Sequence, residues 1–216
     1  MTHPLALYGD GLREAQPAQR VRLSDGTQLP LPLRRYLGPA DETDEQLLRG
    51  LRGPVLDVGC GPGRHLHALA GRGVFALGVD LSPVAVEVAL ARGGGARAIV
   101  GSIFDELPGG GTWQSALLLD GNIGIGGVPA RLLARIGTLL RDRGELLVEL
   151  DAPHTATIST HARIESAKAS SSWFRWARVS VGDIDQIAAP VGFDTAERWS
   201  LDGRWFARLV RSGRDA

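Results

Sequence analysis

The chain has one cysteine, Cys60, and one lysine, Lys168, among 216 residues. A lone cysteine excludes an intramolecular disulfide and a cysteine-built structural zinc site, and it suits a reducing, cytoplasmic setting. Neither charge is in excess, since Lys+Arg and Asp+Glu are both 24; that argues against a polyanionic partner such as nucleic acid. Arginine supplies nearly all the basic charge, which we read as nucleotide-composition bias. Long apolar runs are missing as well. No stretch approaches the roughly 20 residues that cross a bilayer, and residues 1–10 have neither the basic start nor the apolar run of a secretory leader. A hydrophobic content of 44%, a charged content of 22% and 29 glycines describe a soluble globular protein with many tight loops. The length is most simply that of one domain.

Residues 55–65, VLDVGCGPGRH, read as a buried strand, a glycine loop and the start of a helix. Gly59, Gly61 and Gly63 at alternate positions let the backbone turn tightly and approach a ligand that a side chain would exclude. The following helix would aim its free N–H groups at that ligand. A second apolar strand at 74–79 ends at Asp80, and Ser82 before Pro83 is an N-cap followed by proline at the first helical position. Short strands at 96–100 and 113–119 follow, the latter ending at Asp120. An apolar helix face behind Pro129 has Gly144 as its expected stop, and 145–150 is a fifth strand. Strands alternating with helices predict a mostly parallel α/β sheet covered by helices.

Either end of the chain is of a different style. Residues 1–40 contain five prolines and are expected to form an arm, with a small hairpin around residues 24–27, that either packs on a sheet edge or covers a pocket as a lid. A short helix at 41–51 completes this 1–52 segment. Residues 151–181 alternate polar and apolar and predict an exposed hairpin, 155–165 with 173–181. Residues 182–216 predict a helix at 183–191 and a second hairpin, 193–199 with 204–211, turning at 201–203.

Two ligands compete for the glycine loop. The dinucleotide fingerprint places its third glycine at position 64, which is arginine here. The third glycine is Gly63 instead, and Asp57 before the loop puts a carboxylate where a cationic amino-acid moiety is welcome and a pyrophosphate is not. Asp80 does not discriminate, since a carboxylate there binds a ribose diol in either case.

At 56–64, LDVGCGPGR, the chain resembles the class I S-adenosylmethionine-dependent methyltransferases, and the likeness extends more weakly over 53–150. The resemblance implies a Rossmann-like, doubly wound, mostly parallel seven-stranded sheet with an antiparallel C-terminal hairpin at its edge. It implies S-adenosylmethionine as cofactor, with Gly59, Cys60, Gly61 and Gly63 along it, Asp57 near its methionine end, Asp80 on the ribose hydroxyls and Leu81 beside adenine. Where relatives carry an acidic residue at the end of the third strand, Ser102 or the Ile103 backbone would serve the adenine amino group, with Asp105 farther along. The single methyltransferase domain would then divide into the 1–52 arm, a 53–150 cofactor-binding core, the 151–181 insertion on the acceptor side and the 182–216 end.

Transfer from a sulfonium needs mainly alignment, with a base only for a protonated nucleophile. Asp120 and Asn122, in the glycine-rich loop after the fourth strand, are the polar groups expected to reach the methionine end or the acceptor. Asp151, His154 and His161 are candidate bases, and His65 is preferred to His67 in the first helix. Trp173, Phe174 and Trp176 are read first as hairpin packing and second as a pocket wall. Cys60 is a small filler. We expect a small-molecule acceptor in a pocket formed by the arm and the 151–181 insertion, no metal and no membrane partner. Protein or RNA methylation is second, and a binding protein without catalysis third.

Overall fold

The computed structural model describes residues 2–14 and 19–213. Its first element corrects the expectation of an irregular arm: Pro4–Glu14 is a helix, α1, with Leu7, Gly9, Gly11 and Leu12 buried. Pro17, one of the five prolines behind that expectation, lies outside the described residues. The small hairpin does form, as β1 (Arg20–Leu23) and β2 (Gln28–Pro30) around the expected turn. Helix α2 (Leu33–Leu37) follows, then α3 (Glu42–Leu47), opened by a capping box in which the side chains of Asp41 and Asp44 each accept the other's backbone N–H.

The core alternates strand and helix: β3 (Val55–Val58), α4 (Arg64–Gly71), β4 (Ala76–Asp80), α5 (Pro83–Ala91), β5 (Ala98–Val100) and β6 (Trp113–Leu118). All four residues of β3 are buried, as befits a strand covered on both faces. Ser82 caps α5 as expected, its hydroxyl accepting from the Ala85 amide at 3.3 Å. Helix α6 (Pro129–Leu139) buries Leu132, Leu133, Ile136 and Leu139, one apolar stripe against the sheet. It ends earlier than Gly144: Leu140 is already extended and pairs with Trp113, so β7 runs Leu140–Leu150. Strand β8 (Ile158–Glu165) and β9 (Phe174–Arg178), helix α7 (Ile184–Ala188), and β10 (Phe193–Leu201) and β11 (Arg204–Arg211) complete the chain.

The main sheet has the order β10-β11-β7-β6-β3-β4-β5. Its β5, β4, β3, β6 and β7 are mutually parallel, and β11 and β10 add antiparallel to the β7 edge. This is the doubly wound, seven-stranded arrangement with an antiparallel hairpin edge that the resemblance implies. A second sheet, β2-β1-β8-β9, is antiparallel and joins the N-terminal hairpin to the 158–178 hairpin, with Arg20–Leu23 paired to Ala162–Glu165. The chain order reverses between β3 and β6, and the crevice at the carboxyl ends of those strands is where an open α/β sheet receives its ligand. Among the described residues, no helix is long and apolar enough to cross a membrane.

Candidate active site

A cavity of about 890 Å³ opens at those strand ends. The glycine loop, Asp80, Leu81, Gly101–Phe104 and the 120–126 loop form one wall, and α1, α2, β2 and β9 supply the other. Its size is that of a pocket for one or two small molecules.

The loop after β3 is shaped by steric need. Gly61 has φ of +52°, and a Cβ there would stand 3.2 Å from the Tyr8 hydroxyl across the cavity. The Gly61 amide donates to Asp80 Oδ2 at 2.8 Å, and the Ser82 amide donates to Oδ1 at 2.8 Å. Burial pushes the Asp80 carboxyl up, and these two amides oppose that by hydrogen-bonding the ionised form. A carboxylate is thus held rigidly at the cavity wall with one lone pair on each oxygen still available. Leu81, 51% exposed, offers an apolar surface beside it.

Cys60 lines the cavity with its backbone, while its thiol turns inward. A Cβ on Gly78 would lie 2.5 Å from that sulfur, so Gly78 is the room into which the thiol fits. Burial raises the thiol far above its ordinary range, and the residue is inert packing, as expected. Ser102 and Ile103 border the cavity. The Ser102 hydroxyl accepts from the Phe104 amide at 3.1 Å, and Asp105 folds back to accept from the Ser102 amide at 3.3 Å, outside the cavity. Gly63 and Asp57 do not border it either. A Cβ on Gly63 would meet Ala89 at 2.9 Å, so this glycine seats α4 against α5. Asp57 lies beneath the loop, 2% exposed, with Oδ2 lacking a hydrogen-bond partner and His65 Nδ1 3.8 Å away.

The loop after β6 serves the fold differently from its sequence appearance. Asn122 Nδ2 donates to the carbonyls of Val58 and Gly59 at 2.9 and 3.0 Å, tying the two loops together. Two of its glycines, Gly124 and Gly127, face β9. A Cβ on Gly124 would overlap the Ala177 carbonyl and stand 2.5 Å from the Trp176 ring, and one on Gly127 would be 2.9 Å from Arg175. They let the hairpin close down so that Trp176 becomes cavity wall. Gly124→Ala is expected to force β9 outward and cost about 1–3 kcal/mol; an unchanged urea midpoint would show that the hairpin is not held by this contact.

Asp120 belongs to an ion network that sequence reasoning missed. Its carboxylate accepts from Arg64 Nη2 at 2.9 and 3.1 Å and from Arg35 Nη1 at 3.1 Å, and its amide donates to Glu149 Oε2 at 2.7 Å. Glu149 is held in a two-pronged pair by Arg204 at 2.8 and 2.7 Å. Under them lies Asp44, whose carboxylate is wholly buried and within 3.5 Å of Arg64, Arg35, Arg204 and His65. The signal available in sequence was Arg64 directly after the glycines, an unpaired cation pointing to a buried anion. Asp44, three residues after Asp41, carried only the look of a helix cap.

Of the candidate bases, His154 and His161 are exposed and border no part of the cavity, because His154 sits at a positive-φ turn before β8 and His161 on the outward face of the hairpin. Asp151 does border it, paired to Arg178 at 2.9 and 2.7 Å. Among the described residues, no group of three His, Cys, Asp or Glu side chains could hold a metal ion.

Comparisons with known proteins agree with this geometry. A family model described as a methyltransferase domain matches residues 55–144. An S-adenosylmethionine-dependent methyltransferase from Bacteroides fragilis, solved with S-adenosyl-L-homocysteine, superposes with a TM-score of 0.77 at 23% identity, over 98% of this chain and 95% of that one. A 1,6-didemethyltoxoflavin-N1-methyltransferase from Burkholderia thailandensis gives 0.61 at 18% identity, over 79% and 77%. An amino pentose methyltransferase from Micromonospora echinaspora, solved with S-adenosylmethionine, gives 0.59 at 20%, over 83% and 94%. The domain match begins at β3 and the glycine loop and runs through the parallel core, and the fold is shared along nearly the whole chain, so residues 55–144 form a methyltransferase domain similar to those of the S-adenosylmethionine-dependent methyltransferases.

Proposed function

We propose that this protein transfers a methyl group from S-adenosylmethionine to a small-molecule acceptor bound in the same cavity. The observation that carries the cofactor assignment is Asp80: a carboxylate fixed by the Gly61 and Ser82 amides at the end of β4, beside a glycine loop open to the cavity. In this reading Asp80 accepts from the two ribose hydroxyls, Leu81 lies against adenine, Ser102 and the Ile103 backbone border the purine edge, and Gly59, Cys60 and Gly61 present backbone along the cofactor. Gly63 and Asp57 act from behind the loop, Gly63 by seating α4 and Asp57 through His65. Asn122 holds the glycine loop and Asp120 anchors Arg64 and Arg35. The bound cofactor supplies a methyl on a sulfonium, already activated, so the chain has to align the acceptor and exclude water.

The acceptor is placed between α1, β2 and β9, where Trp176 and Phe174 stand edge to face, ring centroids 6.0 Å apart. The relatives support a small acceptor: one is a toxoflavin-precursor enzyme and another acts on an amino pentose. A single buried cysteine suits a cytoplasmic setting.

Calorimetric titration with S-adenosylmethionine and with NAD tests the cofactor, and NAD binding without a response to S-adenosylmethionine would overturn it. Asp80→Ala is expected to weaken S-adenosylmethionine binding roughly 100-fold, the loss of two charge-assisted hydrogen bonds. Unchanged affinity would show that the ribose lies elsewhere.

A further inference from the structure

The cofactor placement above leaves one charged group without a partner, the carboxylate of the methionine tail. With the ribose at Asp80 and adenine against Leu81, the tail runs the other way, over the glycine loop toward the end of β6, because the strand order there is β6-β3-β4-β5. The guanidiniums at that end are already committed. Arg35 is paired to Asp41, Asp44 and Asp120, Arg64 to Asp44 and Asp120, and Arg204 to Asp44 and Glu149. His65 Nε2 is 2.9 Å from Arg64 Nη2, and Asn122 Nδ2 donates to two backbone carbonyls. Of the other cavity-lining side chains, Arg178 is paired to Asp151, and Arg175 and His3 are exposed to water.

Two enclosed donors on the opposite wall are uncommitted. Tyr8, on α1, and Tyr36, on α2, both line the cavity, and neither hydroxyl makes a hydrogen bond among the described residues. Their rings pack against one small cluster, Leu12, Leu33 and Ala85, which joins α1, α2 and α5. The Tyr8 hydroxyl stands over the glycine loop, 3.2 Å from where a Cβ on Gly61 would be. The Tyr36 ring lies by the arginines at the end of β6, its centroid 5.9 Å from Arg64 Cζ. Burial first, then Asp80 for Tyr8 and Asp120 for Tyr36, pushes both phenols up, so each keeps its proton at neutral pH and remains a donor.

Resting on the methyltransferase reading above, we propose that Tyr8 and Tyr36 together hold the methionine carboxylate of S-adenosylmethionine, one phenol donating to each of its oxygens. Two O–H donors suit a carboxylate, whose two oxygens accept charge-assisted hydrogen bonds. Neutral donors suffice here because the tail brings its own ammonium and adds no net charge beside the ion network. Rings fixed by packing hold the tail, and through it the sulfonium, in one position for the acceptor.

The test is calorimetric titration of the full chain, and of its Tyr8→Phe, Tyr36→Phe and double variants, with four probes: S-adenosylmethionine, S-adenosylhomocysteine, decarboxylated S-adenosylmethionine and methylthioadenosine. The last two lack the carboxylate. Each single variant is expected to weaken the first two probes roughly tenfold and the double variant roughly 100-fold, the usual loss for hydrogen bonds to a charged group, while the last two stay within about twofold of the parent. An equal loss on all four probes overturns the proposal, because it would put the phenols on the ribose or adenine. A loss on both sulfonium probes that spares S-adenosylhomocysteine also overturns it, by placing the phenols at the methyl-bearing sulfur, and so does undiminished affinity for all four. Urea unfolding of the variants without ligand is expected at or above the parent's midpoint, since the hydroxyls removed bond nothing in the protein; a lower midpoint would tie them to the fold and overturn the proposal as well. If the parent binds none of the four probes, the methyltransferase reading beneath it fails, which is a separate result.

Discussion

Asp44→Ala is expected to lower the free energy of unfolding by about 3–5 kcal/mol, the loss associated with removing one partner of a buried ion pair. The carboxylate is fully buried and accepts from or contacts three guanidiniums, Arg64 among them at 2.7 Å and itself only 3% exposed. Without Asp44, Arg64 keeps Asp120 alone, and the cost is the charge left uncompensated in the interior. For a chain of 216 residues each kcal/mol corresponds to about 2–4 °C, so the melting temperature should fall by roughly 10 °C. Burial alone would push the Asp44 carboxyl up; the hydrogen bond from His65, with Arg64 and Arg35, overcomes it and holds the group well below the ordinary carboxylate range. A folded pKa below the unfolded one contributes stability that is complete above about pH 4 and is lost as acid protonates the folded state. Urea unfolding at pH 7 and pH 3 checks both parts. A loss under about 1 kcal/mol at pH 7 would mean that Asp120 and Glu149 suffice to neutralise the three arginines.

The same network shows where sequence reasoning reached and where it stopped. The parallel core was legible because its signals are local: the alternate glycines after β3, Ser82–Pro83 at the start of α5, and the stripe from Leu132 to Leu139. Both hairpins after residue 151 were legible as alternation around turn residues. Helix α1 was not, because the five prolines of residues 1–40 gave the segment the look of an arm, whereas Pro4 is only the first residue of a helix that runs on through Gly9 and Gly11. They are close-contact positions: a Cβ on Gly9 would stand 2.9 Å from Val84 of α5, and Gly11 faces Gln19 and Leu33. Gly124 and Gly127 misled in the same manner, since their small size accommodates Trp176 and Arg175 of another strand. Glycine marks close approach in a sequence, and only the fold says to what.

Charge pairing was the less legible part. Arg35, Arg64, Arg204, Asp44, Asp120 and Glu149 come from six separate segments, and no spacing links them. The resemblance assigned Asp57 to the cofactor, the loop after the fourth strand offered Asp120 to the methionine end or the acceptor, and the fold sets the two in unlike surroundings. Asp120 is charge-matched by three arginines, Arg35, Arg64 and Arg204, whereas Asp57 has a buried oxygen without a hydrogen-bond partner.

That difference predicts a variant that gains stability. Burial pushes the Asp57 carboxyl from 3.8 up to about 6, with His65 opposing the shift and Asp120 adding to it. A folded pKa above the unfolded one means that the native state binds more protons between about pH 4 and pH 6. Stability from this group is therefore complete below about pH 4 and falls as pH rises through 6, at a cost of about 3 kcal/mol by pH 8. Asp57→Asn removes that cost and leaves a buried amide with its own unmet hydrogen bonds, so the expected net gain at pH 8 is roughly 1–3 kcal/mol. Near pH 4 the variant should be no more stable than the parent. Thermal unfolding at the two pH values decides it, and a loss of stability at pH 8 equal to that at pH 4 would show that the ionised carboxylate is well solvated or paired after all. Titration of S-adenosylmethionine into the same variant then separates two reasons for a carboxylate in so costly a place. Weaker binding in the more stable protein would mean that the charge under the loop serves the ligand above it; undiminished binding would assign Asp57 to the fold alone.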